Sequence, residues 1–556
     1  MFRFGVIVLS VFAVIGVITL ATFQARKIPS ITSITPQFGS PGDIMIINGK
    51  NFGSTRSSGY VEIGGSRVTA SSYLQWQDDR IRLILPTNVQ DGLVIVGTKA
   101  GRSRVNSFFA NESGIPVEVP VNLRSLAPSI ASVSPASVTT GSLVTITGFN
   151  FGSARNSSLV YFSTQREAVN LTENIDEGSS DSVNPFEHVC ARAENFDYEV
   201  WSDTEIQLRV PDGAESGVLF VKTENGLSNQ FAIDVKNPAG TKTYQNLRSY
   251  VIQMNADVEN INSRQNSSLV LRVPVPYESS RQPYYEVTEC LPEPAMKNYD
   301  NTICHLIDLS RSSAKKMRFT HKFVVYSYGV NTSVNEKNVK PYTEKNRALY
   351  VHALAPDMLI KCNDDDVVNL VQDIVKNETN PYVKARLIYN YMTEKIEVTE
   401  KLRDAKENPM SIFSKGKGDA YDFALAYTTL LRAAKIPALP VSGILVSADK
   451  NSRNHWWTEF YIENFGWIPA DTALGAGMEY RGFGNVADPK KFYFGNLDGQ
   501  HIEFSRGSRD LRPVLSNAGN VYRPKTYALQ SIWEESSSGN VNYSSLWNDP
   551  VVLGIY

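Results

Sequence analysis

The sequence predicts a multidomain chain: an N-terminal membrane helix, two small β-sandwiches of one kind, a further β-sandwich, and a closing α+β domain. Three observations predict this. An apolar run opens the chain, a glycine-rich block recurs at a fixed offset, and helical patterning sets in only after about residue 361. At 556 residues the chain is too long for one hydrophobic core. Its 42% hydrophobic and 20% charged residues are ordinary for globular domains. A net charge of −2 argues against a polyanionic partner, so nucleic acid is not expected to bind.

The first element is the run from Phe4 to Phe23, preceded by Arg3 and followed by Gln24, Arg26 and Lys27. It is long enough to cross a bilayer as a helix. It is also longer than a usual signal-peptide core, and no small-x-small cleavage site follows it. Residues 1–27 therefore read as an uncleaved anchor, with a cleaved signal as the alternative. No cysteine follows the run, so a lipoprotein anchor is not expected. Charges flank both ends, and the positive-inside rule sets no orientation. The β-rich remainder carries no second span and is expected outside the cytoplasm, in the periplasm or at the cell surface.

The second element is a repeat. The stretch ITPQFGSPGDIMIINGKNFGS from Ile34 matches VSPASVTTGSLVTITGFNFGS from Val133. Pro36, Gly42, Gly49 and Gly53 map to Pro135, Gly141, Gly148 and Gly152, an offset of 99 throughout. Trp76, Pro86 and Gly92 map to Trp201, Pro211 and Gly217 at an offset of 125, so the second copy holds 26 more residues. They fall in the polar stretch Thr164–Asp197 and are expected to form an exposed excursion. Alternation in Ile44–Ile47 and Val144–Ile146 suits strands, and the glycines suit tight turns. With G-x-x-v-x-I-x-G-x-n-F-G present in both copies, residues 28–236 resemble IPT/TIG immunoglobulin-like domains, at 28–120 and 127–236. The resemblance implies either spacers or modules that bind glycan or protein.

The third element, 241–360, alternates again in Ser268–Pro276 and in Phe319–Tyr328. It looks like the β-sandwich that often precedes bacterial transglutaminase-like domains. Of the four cysteines, Cys290 and Cys304 are close enough in sequence to bridge, and four unpaired thiols are the alternative. No C-x-x-C pair occurs, so a zinc or redox site is not expected.

The fourth element, 361–530, opens on Asn363-Asp-Asp-Asp, which reads as a helix cap rather than a cation site. A second helix spans Asn380–Ile396, with Ala385, Ile388, Tyr389 and Met392 at helical spacing. Gly416 and Gly418 then form a turn, Asp419 suits an N-cap, and an apolar helix runs to Ala434. Next come two strands joined by a short turn. One opens with Asn454-His-Trp-Trp-Thr-Glu, the other with Phe465-Gly-Trp-Ile-Pro-Ala-Asp. That geometry serves thiol chemistry. A cysteine at a helix N-terminus is favoured as thiolate, a histidine on a neighbouring strand takes its proton, and a carboxylate orients the imidazole.

Over about 370–525 the chain resembles the transglutaminase-like, papain-like superfamily. The shared pattern is roughly G-D-C-x-D-[YF]-A, L-x-R-A-x-G-I-P-A, H-x-W-x-E and G-W-x-p-x-D. A trailing Phe494-Gly-Asn-Leu-Asp-Gly-Gln-His-Ile-Glu-Phe-Ser, often found in bacterial members, follows. The resemblance places the family's histidine on His455, its acid on Asp471 and its nucleophilic cysteine on Ala420. Gly418, Asp419, Asp422, Phe423 and Ala424 hold the register. The family's helix-ending glycine is Lys435 here. Trp456, Trp457, Tyr461 and Trp467 read as core rather than as ligand-stacking surface.

Losing a triad nucleophile costs about a million-fold in a comparable serine case. The expected function is therefore a cell-envelope binding or scaffold protein with a noncatalytic transglutaminase-like domain. Its partners would be the membrane and an envelope protein or glycan, with no cofactor and no metal. The alternative is an active cysteine-type hydrolase or acyl transferase working on envelope peptides or protein crosslinks. Residues 531–556 read as a C-terminal tail.

Overall fold

The computed structural model describes residues 28–103, 107–111, 127–167, 183–263, 267–309, 315–344, 347–516, 518–521, 523–537 and 541–556. The Phe4–Phe23 run lies outside the described residues. Among those described, no helix is long and apolar enough to cross a membrane.

The two N-terminal copies fold alike. Strands Ser30–Thr35, Ile44–Lys50, Arg80–Ile84 and Tyr73–Trp76 form one sheet of the first copy, facing a sheet built around Tyr60–Ile63 and Gly92–Thr98. Their counterparts are Ser129–Ser134, Leu143–Phe149, Glu205–Arg209 and Tyr198–Trp201, facing Leu159–Ser163 and Gly217–Thr223. Strand alternation turns Met45 and Ile47, and likewise Val144 and Ile146, into the two cores. Single hydrogen bonds recur too. Trp76 Nε1 donates to the Phe52 carbonyl at 3.0 Å and Trp201 Nε1 to the Phe151 carbonyl at 3.2 Å. The repeated glycine before each phenylalanine has a packing reason: a Cβ on Gly49 or Gly148 would meet the Phe52 or Phe151 ring at 2.3 or 2.5 Å.

The extra residues of the second copy are not simply an exposed excursion. His188–Cys190 pairs with Leu159–Ser163. Phe186 is buried within the core of the C-terminal half. Arg166 Nη1 donates to the Pro185 carbonyl at 2.7 Å and the Phe186 carbonyl at 3.0 Å. Burial of the Phe186 ring holds this end of the insertion down.

The third sandwich is organised by Gly240–Ser263, which pairs antiparallel with Lys316–Val334 along nearly its whole length. The residues read as a C-terminal tail belong to it. Val541–Trp547 and Val551–Ile555 pair with Gly240–Ser263, and Glu534–Ser537 pairs with Ser268–Pro274. A strand of 24 residues would otherwise present an open edge, and Trp533 and Val552 fill the core beneath it. Ala518–Val521 joins the same sheet, so the expected boundary at 530 falls inside a shared structure. The four cysteines are free. Cys290 and Cys304 sit on opposite sheets, across from His321 and Arg272 respectively, and pack into different apolar clusters.

In the last domain, helices Asp365–Val375, Pro381–Lys395 and Ala420–Ala433 accompany a four-stranded antiparallel sheet. Its order is Gly466–Ala470, Ser452–Ile462, Ala438–Val446, His501–Arg506. The acidic run caps its helix: Asp364 Oδ1 accepts the Asp366 N–H at 3.1 Å. Among the described residues, this domain and the third sandwich share apolar surface. Ile444, Val446, Ile502 and Phe504 pack with Tyr250, Val325 and Trp533.

Candidate functional site

The helix Ala420–Ala433 begins at a capping box. Asp419 Oδ1 accepts the Asp422 N–H at 3.0 Å, and Asp422 Oδ2 accepts the Asp419 N–H at 3.2 Å. Gly418 leads in because a Cβ there would strike Ile412 Cγ2 at 2.6 Å. Both aspartates are fully buried and need cations. Lys525 Nζ lies 2.6 Å from Asp419 and 3.5 Å from Asp422, and Arg403 Nη1 lies 3.1 Å from Asp422. Burial and the neighbouring Asp419 still push the Asp422 carboxyl up to about 6.

Ala420 is the first residue of this helix and is 5% exposed. The helix is bonded to strand Ser452–Ile462. Thr458 Oγ1 donates to the Ala424 carbonyl at 3.0 Å and lies 3.1 Å from Thr428 Oγ1. Tyr421 meets Trp456 edge to face at 5.4 Å, which brings the neighbours of Ala420 and His455 into contact.

His455 and Asp471 come together across the sheet. His455 Nε2 is 2.5 Å from Asp471 Oδ2, and both side chains are fully buried. Asp471 Oδ1 also caps the short helix Thr472–Gly475 by accepting the Leu474 N–H at 2.9 Å. The antiparallel register makes the pairing, since Thr458 lies opposite Ala470. Burial opposes ionisation of Asp471, but His455 and His501 together hold its carboxyl well below the usual range. Burial lowers the proton affinity of His455, and Asp471 only partly restores it. A neutral His455 facing a carboxylate through Nε2 carries its proton there, which leaves a lone pair on Nδ1. That atom is buried and makes no hydrogen bond among the described residues. Trp456 and Trp457 are fully buried and belong to the core.

Sequence reasoning gave no role to His501 and Asp498, although both stand in the trailing motif. His501 Nε2 lies 3.1 Å from Asp471 Oδ2, and its Nδ1 lies 2.8 Å from Asp498 Oδ1. Burial disfavours its charge, yet Asp498 and Asp471 raise it to about 9. The buried centre thus reads Asp498–His501–Asp471–His455, with a fixed imidazolium holding the acid that orients His455. Its chemistry is general-base chemistry at His455 Nδ1. The Ala420 methyl adds no nucleophile.

These elements define a class of protein: IPT/TIG-type sandwiches joined to a transglutaminase-like core. Residues 368–472 match the transglutaminase-like superfamily, and residues 29–112 and 128–184 match the IPT/TIG domain. The chain contains a transglutaminase-like core domain and IPT/TIG domains. A Haemophilus influenzae protein described as uncharacterized is 29% identical over 194 residues, covering 29% of this chain and 52% of the relative. A cyclomaltodextrin glucanotransferase of Niallia circulans is 31% identical over 124 residues, or 22% of this chain and 16% of the enzyme. The chain therefore spans about half of the first relative and a small part of the second. Among solved structures, a candidate cysteine protease from Cytophaga hutchinsonii superposes with a TM-score of 0.35 at 12% identity, over 56% of this chain and 93% of that one. SGBP-B from a complex xyloglucan utilization locus in Bacteroides uniformis gives 0.16 at 12% identity, over 54% and 99%.

Proposed function

We propose that this protein is an extracytoplasmic binding or scaffold protein of the cell envelope, anchored by its N-terminal apolar segment, whose transglutaminase-like domain is noncatalytic. One observation carries the reading. The base and its orienting acid are assembled and buried, while the helix N-terminus that would present a thiolate begins with Ala420. Water polarised by His455 Nδ1 is a poor substitute for a positioned thiolate and forms no covalent intermediate.

A binding role draws support from a cleft of about 700 Å³ away from this centre, between the second IPT/TIG domain, the third sandwich and the last domain. Arg166, Asp212, Tyr277, Glu278, Tyr284 and Trp467 line it. Its size suits a small ligand, and its mix of aromatic and charged groups suits a glycan or a peptide.

Two measurements test the proposal. The purified full chain is expected to show neither hydrolysis nor acyl transfer with peptide and amine substrates. Turnover abolished by His455→Ala would overturn the noncatalytic reading in favour of an active hydrolase. Protease added to intact spheroplasts is expected to digest everything beyond about Pro29, and full protection would overturn the placement.

A further inference from the structure

The third sandwich holds a second cluster of chemistry-bearing side chains, unconnected with the transglutaminase-like centre. Strand Tyr284–Leu291 brings Cys290 opposite His321 of Lys316–Val334 on one sheet. His305 reaches them from Thr302–Asp308 on the facing sheet. His305 Nε2 and His321 Nε2 are 2.8 Å apart, and both rings are almost fully buried. One ligand atom from each of the three residues lies within 4.8 Å of the other two. Phe319 packs on the His305 ring at 4.9 Å and helps fix it. Cys290 is only partly buried, which leaves a way in from solvent.

From this geometry we infer that Cys290, His305 and His321 form a binding site for a zinc-class divalent cation that clamps the two sheets of the third sandwich together. The donor set is the one such ions favour, two imidazoles and a thiolate. Tetrahedral zinc would set its nitrogen ligands about 3.3 Å apart and nitrogen and sulfur about 3.6 Å apart. The two imidazole nitrogens, 2.8 Å apart, would part by about 0.5 Å to take up that spacing, and the three ligand atoms already lie within 4.8 Å of one another. Without metal, the two Nε2 atoms share one proton in a hydrogen bond. On binding, the ion takes the place of that proton, which moves to Nδ1 of the same ring through solvent. The Cys290 thiol gives up its own proton to become the thiolate ligand, so one proton is released per ion. The fourth position falls to water, as in zinc sites with three protein ligands. The sequence concealed the site because its three ligands come from three strands and form no compact motif.

The test uses the full chain and cobalt(II) as a spectroscopic stand-in for zinc. Saturation at about one equivalent is expected, with visible d–d bands and a thiolate-to-cobalt charge-transfer band in the near ultraviolet. Cys290→Ser should abolish the charge-transfer band and weaken binding by at least about 100-fold. His455→Ala should leave the band in place, which separates this site from the buried His455–Asp471–His501 group. A readout without mutation guards against a variant that fails to fold: zinc should slow alkylation of Cys290, followed by mass spectrometry, and leave Cys190 unaffected. Absence of the charge-transfer band, or alkylation of Cys290 at the same rate with and without zinc, would overturn the inference.

Discussion

Replacing Ala420 with cysteine asks directly whether a nucleophile position survives. The substitution adds one sulfur at a residue that is 5% exposed. Overpacking at such a place costs about 1–3 kcal/mol, and the loss of alanine's helix propensity adds up to about 0.7 kcal/mol. The protein should therefore stay folded. The first turn of a helix favours an anion by up to about 2 kcal/mol, or roughly 1.5 pKa units. Asp419 and Asp422 would oppose a thiolate there, but Lys525 and Arg403 offset them. The native cysteines are poor competitors. Burial pushes Cys290 up to about 11 and Cys304 up to about 12, and it raises Cys190 and Cys362 as well. At pH 7 even an unshifted thiol is about 3% thiolate, more than about 100 times the fraction at Cys290. Iodoacetamide labelling, resolved residue by residue by mass spectrometry, should find position 420 modified at least that much faster. Adding His455→Ala should slow the reaction at that position alone. Labelling no faster than at Cys290, or indifference to His455, would refute the assignment of Ala420 to a nucleophile position served by that histidine.

The remaining predictions concern stability. Lys435 sits in the left-handed region at φ 65° and closes a Schellman-type turn, with Ile436 N–H bonded to the Leu431 carbonyl at 2.9 Å. Lys435→Gly should therefore stabilise the protein by about 1 kcal/mol in urea melts, and a loss of stability would count against a strained residue. The proton affinity of His501 is raised on folding from the ordinary 6.5 to about 9. Its stabilising effect is fully present below pH 6.5 and is lost as pH rises to about 9 and beyond, amounting to roughly 3 kcal/mol. The urea midpoint should fall over that window, and His501→Gln should flatten the fall. An unchanged profile in the variant would show that another group sets the pH dependence.

Much of the site was legible because it is local. The capping box around Ala420 is written in residues three apart, and the strand–turn–strand unit brings His455 and Asp471 together over 16 positions. The repeat was legible because both copies must solve the same packing problem, a phenylalanine against a glycine, at the same spacing.

What the sequence alone determined is the repeated sandwich, the transglutaminase-like core that follows it and the residues Ala420, His455 and Asp471 that stand at the matched positions. The tertiary structure decided everything that depends on distant segments meeting. Lys525 neutralises Asp419 from 106 residues away. His501 reaches Asp471 because its strand, His501–Arg506, lies across the sheet from the one bearing His455. The last residues, read as a tail, close the third sandwich by pairing with strands nearly 300 residues earlier. Cys290, His305 and His321 converge only when two sheets face one another. The physical reason is the same in each case. Local patterns record which face of a strand or helix is apolar, but the register and stacking of sheets depend on how all the apolar faces pack at once.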